Sequence, residues 1–176
     1  MTVHHTTLSL TSHGGTPSFV DITGDVRRAV AESGIANGIC AVISPHTTCS
    51  VYYDEWAHDR LEDGTDFLQQ DLNNVLGKIV PDQQGFPPAD GYNYPGEEHF
   101  VAVESWPSAK EYLPGGDRSQ LLNADAHLKA NLMGSSQVFP VIDGELGFGV
   151  TGYIFFADWD RARARGRRCQ VTIIGE

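Results

Sequence analysis

Seven histidines are many for an acidic chain of this size, and their positions are unequal. His4 and His5 lie near the N-terminus, His13 in a turn and His58 beside the acidic stretch HDRLEDGTD, all settings of solvated surface. His46, His99 and His127 sit instead at element ends or in loops rich in turn residues, where side chains from distant segments can converge. Three neutral imidazoles, with Asp54, Glu55, Asp71 and Asp125 as further ligands or orienting groups, make the donor list of a transition-metal site. The same residue types also suit acid–base work without a metal. No short fixed spacing such as HExxH accompanies them, so spacing alone does not choose between these uses.

Other chemistries are poorly represented. Ser44 and Ser50 flank His46, but neighbouring strand positions point to opposite faces, and no GxSxG elbow is present. GELGFGVTG, residues 144–152, has no helix to follow it; its glycines read as a tightly turned or closely approached strand, not a dinucleotide fingerprint. There is no GKS or GKT phosphate loop.

The elements that must position these residues can be read from periodicity. HHTTLSLTS alternates like a strand, and SFVDIT leads into a helix over about 24–33, with Thr23 or Asp25 as N-cap and Gly34 as its stop. GICAVISP and TCSVYY read as strands, with Pro45 and His46 between them. Apolar residues between Leu61 and Ile79 recur mostly at helical spacing. From about 82 to 121 the chain is rich in proline and glycine and reads as one long inserted loop, of the kind that is usually functional or an interface. A short helix is expected at AHLKANLMG. Paired strands follow, with a hairpin turn at Asp143-Gly144. The expected fold is α+β: a compact single domain over 1–176, built around a largely antiparallel β-sandwich with two or three helices.

Bulk properties narrow the partners. A formal charge of −11 over 176 residues argues against a nucleic-acid backbone. RARARGRR, residues 161–168, reads first as a solvated turn; the sharper reading is an anion patch for a phosphorylated small molecule. Cys40, Cys49 and Cys169 lack CxxC spacing and sit in apolar segments, as buried reduced thiols would. No apolar run reaches membrane-span length, and MTVHHTTLSL has neither a basic leader nor an apolar signal core. A cytoplasmic protein without a membrane partner is expected.

Several ordered motifs together resemble one family. PHTTCSVYYDE, DLNNVLGKIVPD, DAHLKANLMGSSQVFPVIDGELGFGVTGYIFFADWD and RRCQVTIIGE are similar to the YjbQ family, commonly named secondary thiamine-phosphate synthase enzymes. The resemblance runs from Leu8 to Glu176 apart from the long loop. It places His46 at the first family histidine and Glu55 at the glutamate of an N-E pair, with Asp54 where asparagine is usual. Asp71 falls at the helix aspartate, His127 and Lys129 in the A-H-I-K motif, and Asp158 and Asp160 at the E-x-D pair; His99 is the candidate for the loop histidine. About seven extra residues separate Glu55 from Asp71, and GVTG stands where the family has G-T-W-Q.

The resemblance implies a homotrimer with sites near subunit interfaces. It also implies transfer with loss of pyrophosphate, joining a thiazole phosphate to an aminopyrimidine diphosphate. On that reading His46, His99 and His127 hold a divalent metal ion, zinc first among candidates. Glu55, Asp71 and His46 are catalytic, and Lys129, Asp54 and Thr48 contact the phosphorylated substrate. The strands ending at His46 and at Asp54-Glu55 would deliver their tips to one pocket. The rivals are a trimer that binds a metal or small ligand without turnover, and a metal-dependent hydrolase.

Overall fold

The computed structural model describes residues 1–88 and 91–176. Its strands are β1 (Thr2–Ser12), β2 (Ser18–Asp21), β3 (Gly38–Ile43), β4 (Cys49–Glu55), β5 (Ser136–Ile142), β6 (Glu145–Leu146), β7 (Gly152–Asp158) and β8 (Arg165–Gly175). They form two antiparallel sheets, β1-β8-β3-β5-β6 and β2-β7-β4. Alternation decides which side chains meet between them: Cys40, Val42, Phe139, Val141, Val171 and Ile173 face Val51, Ile154 and Phe156 in the main core. Helix α1 (Thr23–Ser33) adds Val26, Ala29 and Val30 to that core. It stops at Gly34, whose φ of 66° suits glycine, as expected. Its N-terminus differs from the expectation. Thr23 Oγ1 accepts from Ile154 N–H at 2.8 Å instead of capping the helix, and Asp21, on a strand of its own, accepts from Thr23 N–H at 2.9 Å.

The three-stranded sheet is buried on its other face as well. There Tyr52, Phe155, Ala157 and Trp159 pack against Leu76 of α2 (Phe67–Ile79) and Ala126 and Ala130 of α5 (Ala124–Met133). Burial on both faces explains why YIFFA in β7 is a continuous apolar run rather than an alternating one. The hairpin turn falls where expected: Asp143 and Gly144 both have positive φ, 51° and 80°, joining β5 to β6. Gly152 marks a close approach, since a Cβ there would collide with the Tyr53 ring.

The fold is thus the expected α+β one with antiparallel sheets, but with five α-helices among the described residues rather than two or three. The excess lies in the segment read as loop over 82–121, of which residues 89 and 90 fall outside the described residues. Among the described residues it contains α3 (Glu97–Glu104), α4 (Ala109–Tyr112) and the short 3-10 turns Pro114–Gly116 and Arg118–Leu121. Phe100, Val103, Leu113 and Leu121 give this module a small core of its own. Glu97 and Glu98 in the first turn of α3 complement its dipole. Arg118 spans the helix by binding Glu97 at 2.9 Å and Glu104 at 2.7 Å while lying over the Phe100 ring. No helix among the described residues is long and apolar enough to cross a membrane. All three cysteines are free and buried, and burial pushes the Cys40 thiol up to about 11.

Candidate functional site

The loop between β3 and β4 brings His46 to the end of the sandwich. Ser44 Oγ accepts from His46 N–H at 3.2 Å, and Cys49 N–H returns to the His46 carbonyl at 3.1 Å, so the turn is held by its own residues. The His46 ring is fixed from the neighbouring strand: Arg168 N–H donates to Nε2 at 2.9 Å. A neutral ring that accepts at Nε2 carries its proton on Nδ1. Burial first, then the charges of Arg167 and Arg168, pull the His46 pKa below its ordinary value and keep it neutral.

His127 comes from α5 and His99 from α3, and both face the same space. Burial lowers the His127 pKa, outweighing the Asp160 charge and the Thr47 backbone, which favour the protonated ring, so the imidazole stays neutral. Tyr94 lies between the two rings, with its hydroxyl 3.0 Å from His99 Nε2 and its ring edge-on to His127 at 5.5 Å. His46, His99 and His127 therefore line one cavity, of about 310 Å³. Its remaining walls include Val103, Trp106 and Tyr112 of the inserted module, and its polar lining includes Arg165 and Arg167.

The arginines are the part that the sequence reading placed second. Residues 165–168 are not a solvated turn but the start of β8, and period-two alternation puts Arg165 and Arg167 on one face of it. Arg167 is bidentate to Asp158, Nε to Oδ2 at 2.7 Å and Nη2 to Oδ1 at 3.1 Å, and Nη2 reaches Thr48 Oγ1 at 3.3 Å. Burial opposes the Arg167 charge, but Asp158 outweighs it and the pKa is raised. Arg165 is less occupied. Its Nη2 is 3.0 Å from Asp160 Oδ2 as an ion pair, but neither Nε nor Nη2 makes an aligned hydrogen bond among the described residues. Asn123 donates to Asp160 at 2.8 Å, and its buried Oδ1 has no partner among those residues. A buried donor and acceptor left open in one cavity mark a place where a ligand completes the hydrogen bonding.

Several residues expected in the site lie elsewhere. From Cys49 to Glu55, at about 3.3 Å per residue, is roughly 20 Å, so Asp54 and Glu55 occupy the far end of β4 from His46. The two tips belong to different sheets and do not meet within the chain. The GVTG segment lies at that far end as well, since Gly152 pairs with Glu55. Asp71 is exposed on α2. Lys129 is fully buried, with Nζ 2.7 Å from Asp82 and 3.7 Å from Asp125, and its charge is spent inside the fold. Thr48 does line the cavity.

A three-histidine metal centre does not fit this arrangement. Among the described residues no group of three His, Cys, Asp or Glu side chains is placed to hold an ion. The His46 nitrogen with the lone pair already accepts from Arg168, and two guanidinium groups beside the rings disfavour a cation.

The profile for "UPF0047 protein YjbQ-like" matches residues 6–176. The chain belongs to the YjbQ/UPF0047 family. A UPF0047 protein of Methanothermobacter thermautotrophicus is 31% identical over 157 residues, 89% of this chain and 82% of that one. YugU of Bacillus subtilis is 24% identical over 89% of each. Among solved structures, a YjbQ/UPF0047 protein of Clostridium acetobutylicum, described as uncharacterized, has 29% identity and a TM-score of 0.66, covering 96% of this chain and 99% of its own. A protein of Sulfolobus solfataricus described as YbjQ-like and of unknown function has 26% identity and a TM-score of 0.65, covering 99% and 100%.

Proposed function

We propose that this YjbQ-family protein is an enzyme that binds a phosphorylated small molecule in the histidine cavity and transfers a group from it with loss of an anionic phosphate. The observation that carries this reading is Arg165, whose Nε is open and whose Nη2 meets Asp160 only as an ion pair without an aligned hydrogen bond, in a cavity that also holds Arg167 and three imidazoles. Arginine presents a planar fork that matches phosphate oxygens, and in a cavity shielded from water its charge counts for more than at a surface. His127, kept neutral by burial, would accept a proton; His46, with its proton on Nδ1, would donate a hydrogen bond to a developing oxyanion.

A transferase also needs room for a second reactant. A neighbouring cavity of about 330 Å³, lined by Ser44, Asn131 and Ser135, shares Pro45, His46 and Thr47 with the first. Two spaces meeting at His46 favour transfer between two bound molecules over binding of one. The thiamine-phosphate synthase-like reaction is one such transfer: the thiazole nitrogen bonds to the pyrimidine methylene carbon, the carbon–oxygen bond breaks, and pyrophosphate leaves with the electron pair. Arg165 and Arg167 would neutralise that leaving group. Self-association as a homotrimer belongs to the same reading. It is supported by exposed apolar side chains on the outer face of the five-stranded sheet, among them Ile39, Val138 and Ile142.

Calorimetry with inorganic pyrophosphate, on wild type and Arg165→Gln, tests the site. Saturable binding weakened at least tenfold in the variant supports it; no binding to wild type overturns it. Pyrophosphate release that requires both substrates then identifies transfer. Release from the diphosphate alone identifies hydrolysis, and binding without release identifies a non-catalytic ligand-binding protein.

A further inference from the structure

A separate cavity, of about 250 Å³, lies on the helix-covered face of the three-stranded sheet and shares no lining residue with the histidine cavity. Phe19, Asp21 and Phe155 form its base. Trp56, Arg60, Asp63 and the start of α2 close over it. Two side chains of that helix start, Asp66 and Gln69, are 4% and 1% exposed.

Each of the two has one polar atom committed and one left over. Asp66 Oδ1 caps α2 by accepting from Gln69 N–H at 3.0 Å, while Oδ2 has no hydrogen-bond partner among the described residues. Gln69 Oε1 accepts from the Tyr52 hydroxyl, which orients the carboxamide, and Nε2 has no partner among those residues. Tyr52 is itself buried and burial raises its pKa, so its phenol stays protonated and supplies the proton that Gln69 Oε1 accepts. The cavity thus contains a buried acceptor and a buried donor three residues apart on one helical turn. Buried polar atoms left open in this way call for a partner.

The walls restrict what that partner is. Trp56 and Phe155 stack with an interplanar angle of 12°, and the Arg60 guanidinium lies 4.3 Å over the Trp56 ring while its Nη1 donates to the Gly64 carbonyl at 2.8 Å. Phe19, Trp56 and Phe155 give the lining an apolar part beside the open polar atoms. Asp21, Asp63 and Asp66 outnumber Arg60 as charges, which disfavours a phosphate. A single edge that both donates and accepts satisfies Asp66 Oδ2 and Gln69 Nε2 together. We propose that this cavity binds a flat nitrogen heterocycle carrying an amino group next to a ring nitrogen, the edge presented by adenine and cytosine. The amino group donates to Asp66, and the ring nitrogen accepts from Gln69.

The test is calorimetric titration of the full chain with adenine, cytosine and benzamidine, on wild type, Asp66→Asn and Trp56→Leu. Asparagine caps a helix as well as aspartate does, but it offers an amide where the ligand needs a carboxylate oxygen. Saturable binding of adenine or cytosine, weakened at least tenfold in Asp66→Asn at unchanged thermal midpoint, is the expected result. If Asp66→Asn does not fold, Trp56→Leu, which removes an aromatic wall without touching the cap, must show the loss. Three outcomes overturn the proposal: no saturable binding of either base, leaving a cavity filled by water; binding indifferent to the variants; or preference for benzamidine, whose amidinium only donates and would mark a cation site.

Discussion

Arg168 N–H holds His46 Nε2 at 2.9 Å, and two residues that precede it on the same strand, Arg165 and Arg167, line the cavity the ring belongs to. The imidazole, carried by the β3–β4 loop, is thereby tied to the strand that carries the guanidinium groups, and the β8 backbone fixes its position beside them.

The pH dependence of stability follows from the two shifted histidines. His46 and His127 have folded pKa values below the unfolded value of about 6.5. As pH falls through that value, the unfolded chain takes up protons that the folded imidazoles do not. Stability from these groups is fully present above about pH 6.5 and is lost below it, until the folded values are reached. Urea unfolding at pH 7.5 and 5.0 should show this loss, and His127→Gln should make it smaller.

Asp158 stands under the arginine that contacts Thr48. The Arg167–Asp158 pair is buried on both sides, 8% and 1% exposed. Removing one partner leaves the other charge uncompensated, at a cost of roughly 3–5 kcal/mol. Asp158→Asn should lower the denaturation midpoint accordingly. Arg165→Gln should also lower stability, because it removes the cation paired with the buried Asp160 carboxylate, but by less, since Asn123 and the Ala162 N–H still bond that carboxylate.

The inserted module has a core separate from the sandwich. Phe100→Ala should loosen α3, which supplies His99 and Val103 to the cavity wall, by about 3 kcal/mol locally. Hydrogen exchange should rise across 97–121 and stay unchanged in β7, whose residues pack in other clusters.

Self-association through the open sheet face can be probed directly. Val138, 60% exposed, and Ile39, 47%, lie on that face, since Cys40 and Phe139 beside them point into the core. A Val138→Lys/Ile39→Lys pair should shift the mass measured by light scattering toward the single chain without changing the far-ultraviolet circular dichroism. An unchanged mass would remove this face from any interface.

Much of the architecture was legible because it rests on period and punctuation. The Gly34 stop, the Asp143-Gly144 hairpin and the alternation of Cys40 and Val42 are local signals, and each holds in the fold. The convergence of His46, His99 and His127 was also accessible, as residues at element ends. Three features were not. Helix α3 follows Pro95 and Gly96 and buries only Phe100 and Val103, too few apolar positions to make a helical stripe. The arginines look like a charge run unless β8 is already known to begin at Arg165, when the same letters become one face of a strand. Which sheet β4 joins is a long-range choice, so nothing local showed that its Glu55 end pairs with Gly152, although strand length alone puts Glu55 far from His46.

The cavity takes its floor and its walls from different parts of the chain. Arg165, Arg167 and His46 belong to the sandwich or the turn joining its strands, while His99, Val103, Trp106 and Tyr112 come from a module with a core of its own. Residues 91–121 can therefore be exchanged as a cassette, altering the size and polarity of the molecule admitted while the guanidinium groups beneath continue to hold the same charge.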